Sequence, residues 1–447
     1  MKNRIWYLIL LGLALRLAFL FKFNPVWWDG SVYIGMGKYI FTWGHMGIWE
    51  PLRPLVLPLI LGAMWKAGID PVFFGRILEI IFSLAAVYAT YLIGKKYRGE
   101  EDGLIAAAIL CFTPVFFEFS FHHYTEIPST LFALLAVYYF MDKNMIASGA
   151  LASLAFLTKF PQGMAIFVLG LCSLTRIKMC VKLCLAFVAL TSVYLISNYF
   201  MYGSLLKPII DGNYIIKYAG IWIFAQPWWF YIWEMLRENF LYVFALIGVS
   251  MILRKGERLV PLLAIIFLLY FSNAVHKEPR FMIMFLPYFA LLAAFGIRKI
   301  FRQKFVPYIV LVICIALLFI NQPTFPNAYE GKDAFFKHLE GKEVRGEALV
   351  SHPYISMHSS NLTAPMYYMV FGSELAKQWT SYIDSNYSKI QYVFIDTCEG
   401  GMLCPPWDDR CEVERERLIS KAEEKFVKEF YEEREKCRYY IFKNNQL

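Results

Sequence analysis

The sequence predicts an α-helical protein that crosses a membrane about eleven times and carries a small α/β domain at its C-terminal end. Of its 447 residues, 58% are hydrophobic, and the mean hydropathy is +0.47. Charged residues make up only 18%, whereas a soluble domain carries roughly 25%. The apolar residues gather in runs that Gly, Pro and polar residues separate. This composition excludes a soluble multidomain protein, a disordered chain, a coiled coil and collagen.

Eleven apolar runs are candidates for the membrane spans. The first run follows Lys2 and Arg4 and lacks a small-residue cleavage site, so we predict a retained span with a cytoplasmic N-terminus rather than a signal peptide. The runs are residues 5–21, 72–94, 103–120, 126–141, 145–158, 163–175, 181–200, 236–253, 258–274, 281–297 and 306–321.

Basic residues cluster in alternate connections between these runs, which is typical of cytoplasmic loops. This placement accounts for the net charge of +9 and argues against a nucleic-acid partner. It predicts a multi-pass protein of the cell membrane. The clusters are Lys95, Lys96 and Arg98; Arg176, Lys178 and Lys182; Arg254, Lys255 and Arg258; and Arg298, Lys299, Arg302 and Lys304.

Two of the predicted non-cytoplasmic connections are long. The first runs from about 22 to 71 and contains two short apolar segments, near 32–43 and 54–67, which Pro residues interrupt. They are too short to span, so we predict interfacial or re-entrant helices that line a cavity. The second runs from about 202 to 233 and is rich in Trp, which favours a helix at the level of the lipid headgroups.

Residues 322–447 form a separate polar domain after the transmembrane module of residues 1–321. Buried-strand patterns at 393–395 and 437–442, with helical patterns at 373–385 and 412–435, predict a small α/β fold. The parity of the spans places this domain outside the cytosol. Two glycosylation sequons, at Asn361 and Asn386, agree, although sequons also occur by chance. Four cysteines are compatible with disulfides or with reduced thiols: Cys398, Cys404, Cys411 and Cys437.

Ionisable residues near membrane depth are functional candidates because they are costly to place there. Asp29 lies in the first outer loop, between Trp28 and Gly30. Its carboxylate could act as a general base or bind a metal. It also precedes an apolar helical run, so a helix N-cap is an equally good interpretation.

A second polar group joins two predicted spans at the same face. His122, His123 and Glu126 could form part of a site for a divalent cation such as Mg²⁺ or Mn²⁺. Glu126 also begins a helix, where negative charge is favourable. The alternative is a polar cap on two helices at the interface.

Two cationic segments complete the outer face. Lys159 stands at the end of a span before Pro161, where it could simply extend its ammonium group to water. The run from His276 through Lys277 to Arg280 places fixed cations beside a span, and such cations suit phosphate oxygens. An ordinary loop with a local ion pair is the alternative. The span interiors hold few charges, mainly Arg16 and Glu79, which argues against an ion-coupled transporter.

The order of these elements resembles that of the integral-membrane glycosyltransferases of the GT-C class, in their protein mannosyltransferase and aminoarabinose transferase branch. The resemblance covers about the first 320 residues. Its elements are Asp29 in the first outer loop, the Pro-rich segment Arg53-Pro54-Leu55-Val56-Leu57-Pro58, the span start Phe74-Gly75-Arg76-Ile77-Leu78, Glu126, the pair Thr158-Lys159, and the run His276-Lys277-Glu278-Pro279-Arg280-Phe281.

The resemblance implies a sugar donor carried on a polyprenyl or dolichyl phosphate. It implies that Asp29 and Glu126 are the acidic catalytic positions, and that Lys159 and Arg280 bind the donor phosphate. Many relatives have two adjacent acidic residues in the first loop, whereas Gly30 follows Asp29 here. This difference leaves open whether Asp29 binds a metal or acts only as a base.

The expected function is therefore transfer of a single hexose, such as mannose, to an acceptor hydroxyl on a glycan, lipid or protein at the outer face, with inversion. Asp29 would accept the hydroxyl proton. Lys159 and Arg280, with His276 and Lys277 nearby, would stabilise the leaving phosphate. Two alternatives are a lipid-phosphate flippase with an outer sensor domain and a non-enzymatic receptor for polysaccharide.

Overall fold

Helices dominate the first 321 residues. The computed structural model describes residues 4–22, 26–219, 222–254, 257–321, 331–367, 371–397, 401–434 and 436–447. The helices up to residue 321 are α1 (Arg4–Phe19), α2 (Trp28–Phe41), α3 (Val56–Lys66), α4 (Phe73–Arg98), α5 (Glu100–Phe112), α6 (Pro114–Phe119), α7 (Glu126–Met141), α8 (Met145–Thr158), α9 (Gly163–Ser173), α10 (Ile177–Tyr202), α11 (Lys207–Ala219), α12 (Phe230–Glu238), α13 (Ala245–Arg254), α14 (Leu259–Asn273), α15 (Leu286–Ile300) and α16 (Val306–Ile320).

Within these ranges, α4 and α10 are the two helices that are each long and apolar enough to cross a membrane. A third span results if α12 and the segment Phe240–Leu253, which meet at an angle of 118°, are counted as one. Shorter apolar helices, among them α7, α8, α14 and α16, fill most of the other predicted runs. The number of eleven spans therefore stays a prediction.

Proline divides one of the predicted runs and marks the start of two other helical segments. The run 103–120 is two helices, α5 and α6, because α6 begins at Pro114. Short 3-10 segments at Phe160–Gln162 and Pro279–Met284 precede α9 and α15, and each has Pro in its first turn. Pro lacks a backbone N–H and fits the first turn of a helix, so it starts a new helical segment where the apolar pattern alone runs on.

The first outer loop contains the two short helices that the sequence predicts. Helices α2 and α3 pack so closely that a Cβ on Gly37 would lie 2.7 Å from the backbone of Gly62. The second outer loop differs from the prediction of one Trp-bearing helix. Trp222 and Trp228 lie in the connection between α11 and α12, while Trp233 lies within α12.

The C-terminal domain is a five-stranded mixed sheet with helices on both faces. Its elements are α17 (Asp333–Phe336), β1 (Glu347–Val350), α18 (Pro353–Met357), β2 (Thr363–Pro365), α19 (Ser373–Asn386), β3 (Ile390–Asp396), α20 (Cys411–Lys425), β4 (Val427–Arg434) and β5 (Cys437–Lys443). The strand order is β2-β1-β3-β5-β4. Strands β1, β2 and β3 are parallel, and β5 runs antiparallel to both β3 and β4.

The predicted helix 373–385 and the predicted strands at 393–395 and 437–442 correspond to α19, β3 and β5. The predicted helix 412–435 is wrong in its second half, because α20 ends at Lys425 and β4 pairs with β5. Cys404 and Cys411 form a disulfide, and Cys437 is also disulfide-bonded. Cys398 lies outside the described residues.

The C-terminal domain rests on the first outer loop. The Trp28 ring lies 4.5 Å from the rings of both His352 and Tyr367, measured between centroids. The backbone N–H of Thr363 donates to the Gly47 carbonyl oxygen at 2.8 Å. Lys38 Nζ donates to the Met357 carbonyl oxygen at 2.5 Å. The domain therefore lies at the same end of the helical array as Asp29.

A second polar end lies opposite. Helix α4 begins near the outer loop, where His123 contacts Val72, and it ends at Arg98, which pairs with Asp102 at 3.4 Å. Arg298, at the end of α15, pairs with Glu101 at 2.5 Å. Two of the basic clusters thus lie at the end of the array away from Asp29.

Candidate active site

Asp29 lies at the start of α2, where it forms ion pairs with two arginines from other segments. Its Oδ1 lies 2.9 Å from Arg53 Nη2, and its Oδ2 lies 2.5 Å from Arg280 Nη1. The residue is 7% exposed. The N-cap of α2 is Trp27, with no side-chain cap bond, so the N-cap interpretation of Asp29 is wrong. Its carboxylate instead forms ion pairs with cations that come from two distant segments.

Arg280 is the centre of the cluster. Its Nη2 lies 2.7 Å from Glu278 Oε1, and its Nε lies 3.7 Å from Glu126 Oε1. The guanidinium also lies 4.7 Å from the centroid of the Tyr124 ring. The planar fork of an arginine suits this arrangement, because it presents donors on several edges at once. One guanidinium therefore joins three carboxylates from α2, α7 and the segment before α15.

Lys159 and Glu126 form an ion pair between the end of α8 and the start of α7. Lys159 Nζ lies 2.8 Å from Glu126 Oε1, and the two side chains are 15% and 1% exposed. The ammonium group also lies 5.3 Å from the centre of the Phe281 ring. The interpretation in which Lys159 extends to water is therefore wrong. Nor is Glu126 merely a polar helix cap, since it holds two cations.

Arg53 belongs to the site, although the sequence did not single out its charge. It lies between Asp29 and Glu50, with Arg53 Nε 2.9 Å from Glu50 Oε2. Its guanidinium lies 5.7 Å from the centroid of the Tyr33 ring. Its signal in the sequence was its place at the start of the Pro-rich segment 53–58. Its partner depends on how α2 and α3 fold together, which no linear pattern gives.

The cations of the cluster strongly lower the pKa values of two neighbouring carboxylic acids, Asp29 and Glu278. Burial alone would raise the pKa of Asp29, but Arg53, Arg280 and Lys159 outweigh burial and hold it well below its usual value. In the same way, Arg280 and His276 overcome burial and lower the pKa of Glu278 to about 2. Both carboxylates are therefore ionised at neutral pH.

His276 and Lys277 lie beside the cluster rather than inside it. His276 Nε2 lies 2.6 Å from Glu278 Oε1, and its ring stacks on Phe224 at 4.1 Å between centroids. Lys277 Nζ donates to the Ala274 carbonyl oxygen at 2.5 Å. Of the four predicted phosphate ligands, the structure thus brings Lys159 and Arg280 together around Glu126 and leaves Lys277 on a neighbouring surface.

The predicted metal site is not assembled as a group. His123 Nε2 lies 2.9 Å from the Val72 carbonyl oxygen, and the His122 ring packs 4.7 Å from Trp27. In the described part of the chain no three His, Cys, Asp or Glu side chains converge as metal ligands. Both Asp29 oxygens and Glu126 Oε1 are engaged by Arg and Lys, and Glu126 Oε2 alone of these four oxygens is buried without a hydrogen-bond partner, so these donors fit a divalent cation poorly.

A cavity of about 550 Å³ opens next to the cluster. Its walls come from residues 223–237 on one side and Lys277, Glu278 and Pro279 on the other. The two walls are joined at Lys277, whose backbone N–H donates to the Phe224 carbonyl oxygen at 3.0 Å. Because Glu278 also contacts Arg280, this cavity and the Asp29 cluster share a wall.

Residues 52–207 match the family described as dolichyl-phosphate-mannose-protein mannosyltransferase. This stretch contains Arg53, Glu126 and Lys159, whereas Asp29 and Arg280 lie outside it. No curated protein matches the chain.

Solved structures resemble nearly the whole chain. ArnT from Cupriavidus metallidurans bound to undecaprenyl phosphate has 10% identity and a TM-score of 0.67, over 99% of this chain and 98% of that one. The apo oligosaccharyltransferase from Archaeoglobus fulgidus has 12% identity and a TM-score of 0.58, over 89% and 70%. The archaeal oligosaccharyltransferase AglB from the same organism, in complex with an inhibitory peptide and a dolichol-phosphate, has 11% identity and a TM-score of 0.60, over 98% and 74%. The chain therefore has the GT-C glycosyltransferase fold that the resemblance implied.

Proposed function

We propose that this protein transfers a sugar from a polyprenyl- or dolichyl-phosphate donor to an acceptor hydroxyl. The observation that carries the proposal is the buried cluster in which Asp29, Arg53, Glu126, Lys159 and Arg280 meet. Burying this many charges costs desolvation free energy that their pairing only offsets, so the cluster adds little to stability. Such a buried group of ionisable residues is typical of a functional site. ArnT and AglB, which share the fold, have been solved with undecaprenyl phosphate and dolichol-phosphate.

Asp29 is the proposed general base. The acceptor oxygen forms a bond to the anomeric carbon, the bond from that carbon to the phosphate oxygen breaks, and the hydroxyl proton passes to the Asp29 carboxylate. The lipid phosphate leaves with the bonding electron pair. Direct displacement inverts the anomeric centre. The low pKa of Asp29 keeps its carboxylate ionised throughout the neutral range, and its basicity in the reaction depends on how far the arginines shift toward the phosphate as the proton is transferred.

Arg280 and Lys159 are the proposed partners of the leaving phosphate. Negative charge grows on the phosphate as the glycosidic bond breaks, and fixed cations in a site shielded from water stabilise it strongly. Glu126 holds both cations in place through its Oε1. We route no step through a divalent cation, because the carboxylates that would bind one are already engaged by these side chains.

Mannose, or another hexose, is the proposed sugar, because the matching family is described by dolichyl-phosphate-mannose. The acceptor hydroxyl belongs to a glycan, a lipid or a protein. We also propose that the site faces away from the cytosol. The basic ends near Arg98 and Arg298 lie opposite Asp29, and such clusters favour the cytoplasmic side.

A donor panel tests the proposed activity. The full-length protein in lipid nanodiscs would be incubated with polyprenyl phosphates that carry mannose, glucose, N-acetylglucosamine or a 4-amino-pentose. We expect sugar to leave at least one donor and unsubstituted polyprenyl phosphate to accumulate. Movement of intact donor across a vesicle bilayer without sugar release would contradict the proposal and favour a flippase.

Thiol labelling tests the orientation. Ala334 is exposed on the C-terminal domain, so an Ala334→Cys variant should react with a membrane-impermeant reagent in intact cells. The unsubstituted chain, whose exposed Cys184 lies near a predicted cytoplasmic loop, is the control. Labelling of the new cysteine only after permeabilisation would reverse the proposed orientation.

A further inference from the structure

The cavity beside the cluster has the composition of a sugar-binding pocket. We call it the Trp233 cavity; its walls are formed by some of the side chains of the segment 223–237, not including Trp228, and by residues 277–279. Phe230 and Trp233 supply aromatic faces, while Gln226, Glu234 and Glu278 supply polar atoms. A pyranose ring presents an apolar face of C–H groups and a rim of hydroxyls, and such a ligand requires this combination. The volume of about 550 Å³ lies within the range of small-ligand pockets.

The position of the cavity relative to Arg280 indicates which sugar would lie in it. Glu278 Oε1 is on the cavity wall and lies 2.7 Å from Arg280 Nη2. Asp29 contacts the other terminal nitrogen of the same guanidinium, at 2.5 Å. The donor sugar is bonded directly to its phosphate, so a phosphate on Arg280 brings that sugar to the mouth of the cavity.

The charges of the cavity indicate the class of sugar. Glu234 is already paired with Arg237 at 2.5 Å, and Glu278 with Arg280 and His276. Lys277 donates to a backbone carbonyl, and no carboxylate within the described ranges lies in ion-pair distance of its ammonium group. The cavity therefore has spare positive charge and no spare negative charge. A sugar with an ammonium group would meet Lys277 without a compensating carboxylate.

From these observations we infer that the Trp233 cavity holds the sugar of the donor and selects an uncharged hexose over an amino sugar. The inference rests on the proposed function, since it assumes that a donor phosphate binds at Arg280. The inference assigns a role to the cavity-lining residues of the segment 223–237, none of which belongs to the Asp29 cluster. Trp233 would stack on the sugar ring, and Gln226 would hydrogen-bond to its hydroxyls.

Binding measurements on the full-length protein in nanodiscs test this inference without requiring turnover. The three probes are unsubstituted polyprenyl phosphate, its mannosyl form and its 4-amino-pentosyl form. We expect the wild-type chain to bind the mannosyl probe about tenfold more tightly than the 4-amino-pentosyl probe. Trp233→Ala should weaken the mannosyl probe about five- to tenfold and the unsubstituted probe less than twofold. Gln226→Ala should show the same selectivity with a smaller loss.

Trp228 offers a matched control. It lies in the same loop, is 69% exposed against 58% for Trp233, and does not line the cavity. Trp228→Ala should leave the affinity of all three probes unchanged. Equal losses for the mannosyl and unsubstituted probes in Trp233→Ala would overturn the inference, as would a raised KM for acceptor with unchanged donor binding.

The two failures are distinguishable. If no donor of the panel releases its sugar but the mannosyl probe still loses affinity in Trp233→Ala, the proposed reaction fails and the sugar subsite stands. If transfer occurs while Trp233→Ala binds every probe as the wild type does, the reaction stands and the subsite is refuted.

Discussion

The Asp29 cluster and the Trp233 cavity share the segment that contains Glu278 and Arg280, yet they are built in opposite ways. In the cluster, charges are buried and paired; Glu126 is 1% exposed, and Asp29 contacts two arginines. In the cavity, Trp233 is 58% exposed, and the Lys277 ammonium group donates to a backbone carbonyl oxygen rather than to a carboxylate of the described residues. A paired, buried cluster is fixed before substrate arrives, which suits chemistry. An open aromatic wall suits discrimination between ligands.

The largest effect should come from removing the base. Asp29→Asn keeps the shape of the side chain but cannot accept a proton, so we expect kcat to fall on the order of 10²-fold or more. The affinity for unsubstituted polyprenyl phosphate should change little, which would separate loss of the base from loss of phosphate binding. Both quantities would be measured on the same nanodisc preparation.

Asp142→Asn is the control, because Asp142 pairs with Lys96 on a different part of the array. It should retain normal turnover. A normal turnover number in Asp29→Asn as well would show that another group accepts the proton.

An intermediate effect should come from the phosphate cations. Arg280→Ala should lower kcat/KM for the donor about 10- to 100-fold, and Arg280→Lys less, since a point charge cannot reproduce the planar fork. Lys159→Ala should resemble Arg280→Ala. Steady-state transfer as a function of donor concentration would measure all three.

Arg298→Lys is the matched control, because Arg298 pairs with Glu101 at the opposite end of the array. Removing Arg280 also leaves carboxylates unpaired, so thermal unfolding must show that the variant is folded. Unchanged donor kinetics in all three site variants would place the phosphate elsewhere.

The smallest effect at neutral pH should come from Arg53. The cations hold the Asp29 pKa below its usual value, so the base is lost only when the pH falls through that low pKa. Arg53→Gln removes one cation and raises the pKa of Asp29. The acidic limb of the kcat/KM profile should therefore move to higher pH by about one unit, with little change at pH 7.

The low folded pKa of Asp29 also sets the sign of the pH dependence of stability. A carboxylate with a depressed folded pKa stabilises the fold above its unfolded pKa, and this contribution disappears as the pH falls through the folded value. Wild-type protein should therefore resist acid better than Arg53→Gln. An acidic limb at the same pH in both proteins would show that Arg53 does not set the ionisation of Asp29.

Many of the site residues could be predicted from the sequence, because ionisable residues at the ends of apolar runs are rare. Asp29, Glu126, Lys159 and Arg280 were all predicted on that ground, and the structure brings them together. Their partners were not predictable, since Asp29 and Arg280 are separated by 251 positions and meet only through the fold. The same limit explains why Arg53 was missed.

The errors in the fold have similar causes. The segment Val427–Arg434 has a composition that favours a helix, but it pairs with β5 as a strand, because tertiary pairing overrides local preference. The apolar pattern also continued through Pro114, although the helix does not. Hydrophobic runs therefore identified which segments form apolar helices, while proline decided where the helices are divided.

The seating of the C-terminal domain on α2 has a consequence for how the protein is made. Trp28, next to Asp29, is packed between His352 and Tyr367, which are synthesised more than 300 residues later. A nascent chain therefore makes its helices long before the surroundings of the proposed general base are complete. On the proposed function and orientation, active enzyme appears only once the final third of the polypeptide has crossed to the Asp29 side and folded, so incomplete translation products should remain catalytically silent in the membrane.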